Sequence, residues 1–306
     1  MKNLPKIIVI LGPTASGKTD FGIALAKKFA GEIISADSRQ VYKKMDIGTG
    51  KPAGKWREGV YLVEGIPHYI MDIIEHDEEF TVAHFKKLAE EKIVDILRRK
   101  KIPIIVGGTG LYIWSVVDNL ELPAVVPDLN LRQALEKKNL EEQVAILKDK
   151  DPDTAKKIDL KNPRRVLRAL EVVLASGQSF VAQKKQAPPA YNALQIGLNW
   201  PRAELYMRIE KRIDEQMESG WAEETKKILA AGFNSQLPSM SGIGYKQLAD
   251  YLRGVKGLEE TIREIKKNTK NYAKRQITWF RRDKRIKWLE RDDFAEAEKL
   301  VAEFIV

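Results

Sequence analysis

Gly12, Gly17, Lys18 and Thr19 complete the pattern G-x-x-x-x-G-K-[ST] within KIIVILGPTASGKT, residues 6–19, the stretch whose residue types most directly do chemistry. Gly12 and Gly17 let the backbone of Gly12, Pro13, Thr14, Ala15, Ser16 and Gly17 curl so that successive N–H groups face inward. The helix that follows adds its positive N-terminal end, and Lys18 supplies a point charge. Such a cradle binds two or three linked phosphates. Thr19 is placed to offer its hydroxyl to Mg2+, a cation that keeps most of its other ligands as water and phosphate oxygen. The loop establishes a phosphate site and leaves open which phosphorylated molecule it holds.

Asp37 is the next group suited to chemistry. It opens Asp37-Ser38-Arg39-Gln40 at the carboxyl end of a short strand over 32–36, where open α/β sheets place their ligands. That position suits a functional carboxylate, although turns and helix caps use the same residue type. Thr109 follows another glycine-ended strand, Ile104-Ile105-Val106-Gly107-Gly108, and belongs near the same sheet edge. Its hydroxyl either touches substrate or caps the next helix. Arg208 and Arg212 stand at i, i+4 in a helix over 204–218 and share a face, which suits a clamp on a leaving phosphate and equally a solvated surface. Two glycine-rich loops are weaker signals. Residues 46–52, DIGTGKP, offer a second phosphate nest, and 241–247, SGIGYKQ, suit close approach to a base, although turn chemistry explains those glycines as well.

Positioning these groups requires parallel strands joined by helices. Apolar, β-branched runs at 7–11, 32–36, 104–107 and 194–200 read as buried strands, and amphipathic periods at 20–28, 81–100 and 204–218 as helices between them. Residues 59–65 read as a small strand or hairpin. From about residue 122 the character changes. Pro123, Pro127, Pro152 and Pro163 punctuate charged helical segments at 129–138, 140–148 and 164–174, with no β-rich run, and a linker over 183–191 leads back to the sheet. The expected fold is α/β: a P-loop NTPase-like parallel sheet flanked by helices, formed by 1–121 and 192–306, with a helical insertion domain at 122–191 and a basic C-terminal helical region. In that region a helix over about 258–282 sets an apolar face of Ile262, Ile265, Tyr272, Ile277 and Phe280 against Lys267, Lys270, Lys274 and Arg281. Lys266, Arg275 and Arg282 broaden the basic side and Trp279 interrupts it, a composition that favours nucleic-acid contact. Residues 286–289 read as a last strand before a terminal helix.

The totals narrow the classes. Among 306 residues Lys and Arg exceed Asp and Glu by 53 to 43, so the surface attracts polyanions over part of its area. The absence of cysteine removes disulfides, thiol nucleophiles and Cys-ligated metal centres. The three histidines, His68, His76 and His84, lack the H-E-x-x-H spacing. The N-terminal apolar run is too short for a membrane span, and a monomeric cytoplasmic protein with no membrane partner is expected.

GPTASGKT at 12–19, DSRQVY at 37–42, DIGTGKP at 46–52, VGGTGLY at 106–112, NPRRVLRALEV at 162–172, GIGYKQ at 242–247 and AKRQITWFRR at 273–282 resemble, in this order and over almost the whole chain, the bacterial tRNA dimethylallyltransferases of the tRNA isopentenyltransferase family. No motif departs from the bacterial pattern, and the Cys/His zinc module of the eukaryotic members is absent. The resemblance implies that dimethylallyl diphosphate and the exocyclic N6 of the adenine 3′ to the anticodon are the substrates, with N6-isopentenyladenosine and diphosphate as products. It makes Asp37 the general base and sets Thr109 at the reaction centre. It also implies tRNA contacts from Asp37, Ser38, Arg39 and Gln40, from Arg164, Arg165 and Arg168, from Gly244, Tyr245 and Lys246, and from Lys274, Arg275, Gln276, Trp279 and Arg281. Arg212 is preferred to Arg208 as the diphosphate clamp. The helical insertion and the C-terminal helix are then expected to grip opposite sides of the anticodon stem-loop.

These residue types fit that chemistry. An adenine amine is a poor nucleophile because its lone pair is delocalised, so its nitrogen must lose a proton as the C–N bond forms, and a carboxylate can accept it. Diphosphate leaves an allylic carbon, and loop amides, Lys18, Mg2+ and an arginine stabilise the charge building on the leaving group. Two other readings compete. A small-molecule or nucleoside kinase, binding ATP in the same loop, leaves Asp37 to Gln40 and the basic helix without a role. A nucleotide-regulated RNA-binding protein without chemistry would tolerate loss of Asp37.

Overall fold

β-Branched runs form the centre of the sheet because strands covered on both faces must be apolar on both. The computed structural model describes residues 4–121, 125, 128–183, 185–290 and 293–306. β1 (Lys6–Leu11) runs into the phosphate loop and α1 (Lys18–Lys28), which leads to β2 (Gly31–Ala36). Three short strands follow, β3 (Lys55–Arg57), β4 (Val60–Val63) and β5 (Ile66–Tyr69), where the sequence suggests one strand or hairpin. α2 (Val82–Arg98), β6 (Ile102–Gly107) and α3 (Gly110–Val117) complete the first half of the core.

The chain divides into two compact units, Asp118–Pro189 and a core made of Met1–Val117 with Ala190–Val306. The smaller unit contains β7 (Leu120–Glu121), α4 (Leu129–Glu136), α5 (Leu140–Lys150), α6 (Pro152–Lys157), α7 (Pro163–Ser176), α8 (Phe180–Gln183) and β8 (Lys185–Gln186). Leu122, Pro123, Pro127 and residue 184 of the linker lie outside the described residues. No β-rich run is expected here, and the strands of this unit are only two residues long: β7 pairs antiparallel with β8, Leu120 with Gln186, so that β8 falls inside what reads as a linker. Two-residue strands carry no alternation for a sequence to display. The unit has its own core, including Leu147, Val166, Leu170 and Phe180. Buried Glu171 receives both Arg132 and Arg168.

The chain returns as β9 (Asn192–Asn199), then α9 (Arg202–Glu218), α10 (Trp221–Ala230), a 3₁₀ turn (Ser239–Ser241), α11 (Tyr245–Leu252), α12 (Leu258–Phe280), β10 (Lys287–Glu290) and α13 (Phe294–Ile305). Strand order is β10-β9-β1-β6-β2-β5-β4-β3, parallel from β10 to β5 and antiparallel at the β4 and β3 edge. One face buries Phe85, Ile113, Ile209, Trp221, Leu248 and Phe280 from α2, α3 and α9 to α12; the other buries Leu25 of α1 and Val301 of α13. Register places the site. Leu11 pairs with Gly107 and Gly197, and Gly107 with Ala36, so β1, β2 and β6 end level while β9 runs two residues further, to Asn199. Gly12, Asp37 and Gly108 each stand one residue beyond that common edge.

Candidate active site

The phosphate loop holds its curl through backbone angles and borrowed side chains. Gly17 and Ala15 adopt positive φ of 84° and 61°, the left-handed region that L residues enter only when the surroundings enforce it. Lys18 Nζ donates to Pro13 O at 2.6 Å, Arg208 Nε to Ala15 O at 2.9 Å and Trp200 Nε1 to Ser16 O at 3.0 Å. Gln276 Oε1 accepts from Thr14 N at 2.8 Å, while its Nε2 donates to Gly108 O at 2.9 Å, so one buried amide ties the loop to the end of β6. Thr14, Ala15, Gly17, Lys18 and Thr19 line a cavity of about 620 Å³. Gly12, Pro13 and Ser16, expected to form the phosphate cradle with them, are not among the residues that line that cavity. Ser16 is buried, and a Cβ at Gly12 would lie 3.0 Å from Leu198 O, so these residues shape the loop from within.

Asp37 lines the same cavity. Its Oδ1 accepts from Arg39 N at 2.8 Å and Gln40 N at 3.4 Å, the turn use of an aspartate, while Oδ2 has no protein donor among the described residues. One oxygen holds the turn and the other is left for chemistry. Thr109 Oγ1 accepts from Ser38 N at 3.1 Å, which fixes the turn after β2 to the turn after β6. Arg208 and Arg212 both face the cavity. Arg208 lies 4.2 Å over the Trp200 ring, and Arg212 Nη2 reaches Thr49 O at 3.5 Å.

The cavity is electropositive and poorly solvated. Burial, followed by the neighbouring Arg212 charge, pushes Lys18 down to about 8 against the opposing pull of Asp37. Burial also lowers Arg212, with Asp37 and Asp20 opposing. Tyr272, on the cavity wall, is raised by burial first and by Asp37 second. Lys18 and Arg212 are thus held close enough together that the Arg212 charge disfavours that of Lys18, an arrangement that favours an added polyanion between them.

Burial corrects four of the expected RNA contacts, Gln40, Gly244, Tyr245 and Gln276, while Arg39, Arg168 and Trp279 are partly exposed and engaged within the protein. Tyr245 is only 1% exposed and donates its hydroxyl to Glu224 at 2.7 Å, so it is a core residue at the start of α11, and Gly244 is pressed against Trp221. Gln40 is buried and bonded to Thr49 O, Gly50 O and Ser35, and Arg39 to Pro238 O and Ser241. Gln276 is turned inward as the loop clasp. Trp279 stacks on Trp114 at 4.8 Å, packed so closely over Gly110 that a Cβ there would lie 2.3 Å from the ring. Arg168 is held by Glu171 and Val125 O. On the basic helix, Lys266 and Lys270 pair with Asp214 and Glu210 of α9 and serve packing. Ser38 is partly buried, while Arg164, Arg165, Lys246, Lys274, Arg275 and Arg281 are exposed. The second nest at 46–52 is already filled: Asp46, Ile47 and Gly48 all donate their N–H groups to Glu224. Glu224, Trp200 and the clasp role of Gln276 carry no local sequence signal, since each acts on a segment more than a hundred residues away.

A glycine cradle at the carboxyl edge of a parallel sheet, with a half-free carboxylate in the same cavity, defines a P-loop NTPase-like enzyme working on a phosphorylated substrate. Residues 40–283 match the family described as IPP transferase, and residues 5–73 that described as isopentenyl transferase. A tRNA dimethylallyltransferase of Acetivibrio thermocellus is 42% identical over 305 residues, covering 97% of this chain and 96% of its own length. One from Desulforudis audaxviator is 44% identical over 295 residues, covering 94% and 92%. Among solved structures, a tRNA isopentenylpyrophosphate transferase from Bacillus halodurans superposes with a TM-score of 0.72 at 38% identity, covering 97% of this chain and 96% of that one. A eukaryotic dimethylallyltransferase described as acting on tRNA superposes at 0.78 with 29% identity, covering 98% and 77%. The chain belongs to the IPP transferase family.

Proposed function

We propose that this enzyme transfers the dimethylallyl group of dimethylallyl diphosphate to the exocyclic N6 of the adenine 3′ to the anticodon of tRNA, giving N6-isopentenyladenosine and diphosphate. The observation that carries the reading is that Asp37, whose Oδ2 has no protein donor among the described residues, lines the same cavity as Gly17, Lys18 and Thr19. The diphosphate sits in the cradle, where loop amides, Lys18 and Arg212 stabilise the charge it gains as the allylic C–O bond breaks. The adenine amine attacks that carbon, and its proton passes to Asp37 Oδ2 as the C–N bond forms. Thr109, by anchoring Ser38, holds Asp37 in line.

Mg2+ fits the residues present. Thr19 lines the cavity with its hydroxyl unused, and no group of three or more acidic or histidine side chains among the described residues could hold a metal unaided. Thr19 would therefore share the ion with phosphate oxygens and water, and the ion would neutralise diphosphate charge. The adenine leaves the anticodon loop to enter the cavity, at a cost of about a few kcal/mol for a single-stranded base. Exposed Lys274, Arg275 and Arg281 of the core, and Arg164 and Arg165 of the helical unit, supply cations for the anticodon stem-loop. No helix among the described residues is long and apolar enough to cross a membrane, and the reading puts the enzyme with its tRNA in the cytoplasm. The kinase alternative is not favoured, because the family match spans most of the chain. The test supplies purified protein, Mg2+, tRNA and either labelled dimethylallyl diphosphate or labelled ATP, followed by mass spectrometry of tRNA nucleosides. A dimethylallyl mass gain on adenosine is expected; phosphate label in any acceptor, or no gain, overturns the reading.

A further inference from the structure

Part of the cavity wall is the stretch 46–52, which is neither helix nor strand; Gln216 donates to Ile47 O and Lys51 pairs with Asp72, and a distant carboxylate takes the N–H groups at its start. Glu224, in the first turn of α10, accepts the N–H of Asp46 at 2.9 Å and of Ile47 at 2.8 Å on Oε2. Its Oε1 accepts the N–H of Gly48 at 3.2 Å and the Tyr245 hydroxyl at 2.7 Å. Gly48 has no slack: a Cβ there would lie 2.0 Å from Trp221 Nε1 and 2.5 Å from Tyr245 Cζ. The anchored end sets the next two residues. Thr49 O and Gly50 O both accept from Gln40 Nε2, at 3.4 Å and 3.2 Å, and Thr49 O also faces Arg212.

Successive amides converging on one anion are a geometry that proteins use to hold phosphate. Here the anion is built in, and without it three N–H dipoles would point together with nothing to accept them. We infer that Glu224 is a positioning residue of the donor site: its carboxylate fills the nest at 46–48 and thereby holds the carbonyls of Thr49 and Gly50 where they orient Gln40 and Arg212. This rests on the reading that the cavity takes the diphosphate donor.

A nest that needs an anion should accept a substitute, whereas a packing role should not. Glu224→Gln keeps the volume and one acceptor oxygen but turns an N–H2 group toward the nest. It is expected to raise the KM for dimethylallyl diphosphate by about tenfold or more, the scale of one lost charge-assisted hydrogen bond. The KM for tRNA should stay at the parent value. Inorganic diphosphate binding, followed by calorimetry without any transfer, should weaken by a similar factor. Glu224→Ala should show the same defect and recover part of its donor affinity in tens of millimolar acetate, with no gain for the parent protein, whose nest is full. Parent-like diphosphate affinity in Glu224→Gln, or a Glu224→Ala defect that acetate leaves untouched, overturns the inference. Where Glu224→Ala fails to fold, the diphosphate affinity of Glu224→Gln decides alone. A parent protein that binds diphosphate in a Glu224-dependent way yet modifies no tRNA would instead sink the functional reading.

Discussion

Replacing Asp37 by Asn separates its two oxygens by function. The amide keeps an acceptor for Arg39 N, now at 2.8 Å, so the turn after β2 persists and stability should change by about 1 kcal/mol or less. What disappears is the base. Losing a positioned proton acceptor removes about 10²- to 10⁴-fold in rate, which is about 3–5 kcal/mol of barrier. A second effect runs the same way and must be sized. Asp37 holds up the Lys18 pKa, so its neutralisation lowers Lys18 further from about 8. At pH 7 a lysine with that pKa is about nine-tenths charged, and losing the charge on half of the molecules would cost only about twofold. The base effect therefore wins by an order of magnitude or more. The assay is single-turnover transfer of labelled dimethylallyl group at pH 7 with saturating substrates, alongside tRNA binding. The expected result is a transfer rate down by at least a hundredfold with tRNA affinity near the parent value. Transfer within tenfold of the parent would refute the assignment of Asp37 as base.

Lys18 makes a proton signature. Its folded value of about 8 lies below the ordinary 10.5, so over that window the unfolded chain binds the extra proton and the ligand-free protein gains stability from this group as pH rises. Bound diphosphate favours the charged form, so calorimetry near pH 8 in buffers of differing ionisation heat should register proton uptake; release would contradict the cradle. Gly50→Ala forces a side chain at φ 59°, with its Cβ 1.6 Å from Arg212 Nη2, and should raise the donor KM by about tenfold while tRNA binding holds. Lys274→Ala and Arg275→Ala should each flatten the slope of log tRNA affinity against log salt by about 0.7–0.9 and leave diphosphate binding unchanged, whereas Lys270→Ala, already paired with Glu210, should leave the slope alone.

The phosphate loop was legible because its chemistry is contiguous. Residues 12–19 carry the turn-permitting glycines, the cation and the hydroxyl in a single run, and the strand before them announces itself by β-branching. Asp37 was legible as a residue at a strand end, but its two readings as turn former and as free carboxylate could not be separated by type, because both are true of different oxygens. Tyr245 misled: an aromatic between glycine and lysine has the composition of a base-stacking loop, and only the packing of α10 against α11 buries it. The basic face of α12 behaved similarly, since Lys266 and Lys270 differ from Lys274 only in finding carboxylates on α9.

By itself the sequence determined the cradle, the parallel sheet that presents it and the carboxylate at the neighbouring strand end, since local dihedral preference and hydrophobic period act over a few residues. Only the tertiary structure decided that Gln276 clasps Thr14 from 262 positions away, that Glu224 fills the nest at 46–48, and that Arg212 shares a poorly solvated cavity with Lys18 and Asp37. Those contacts follow from how α9, α10 and α12 bury their apolar faces on the sheet, a non-local balance of packing and desolvation that no short stretch of sequence contains.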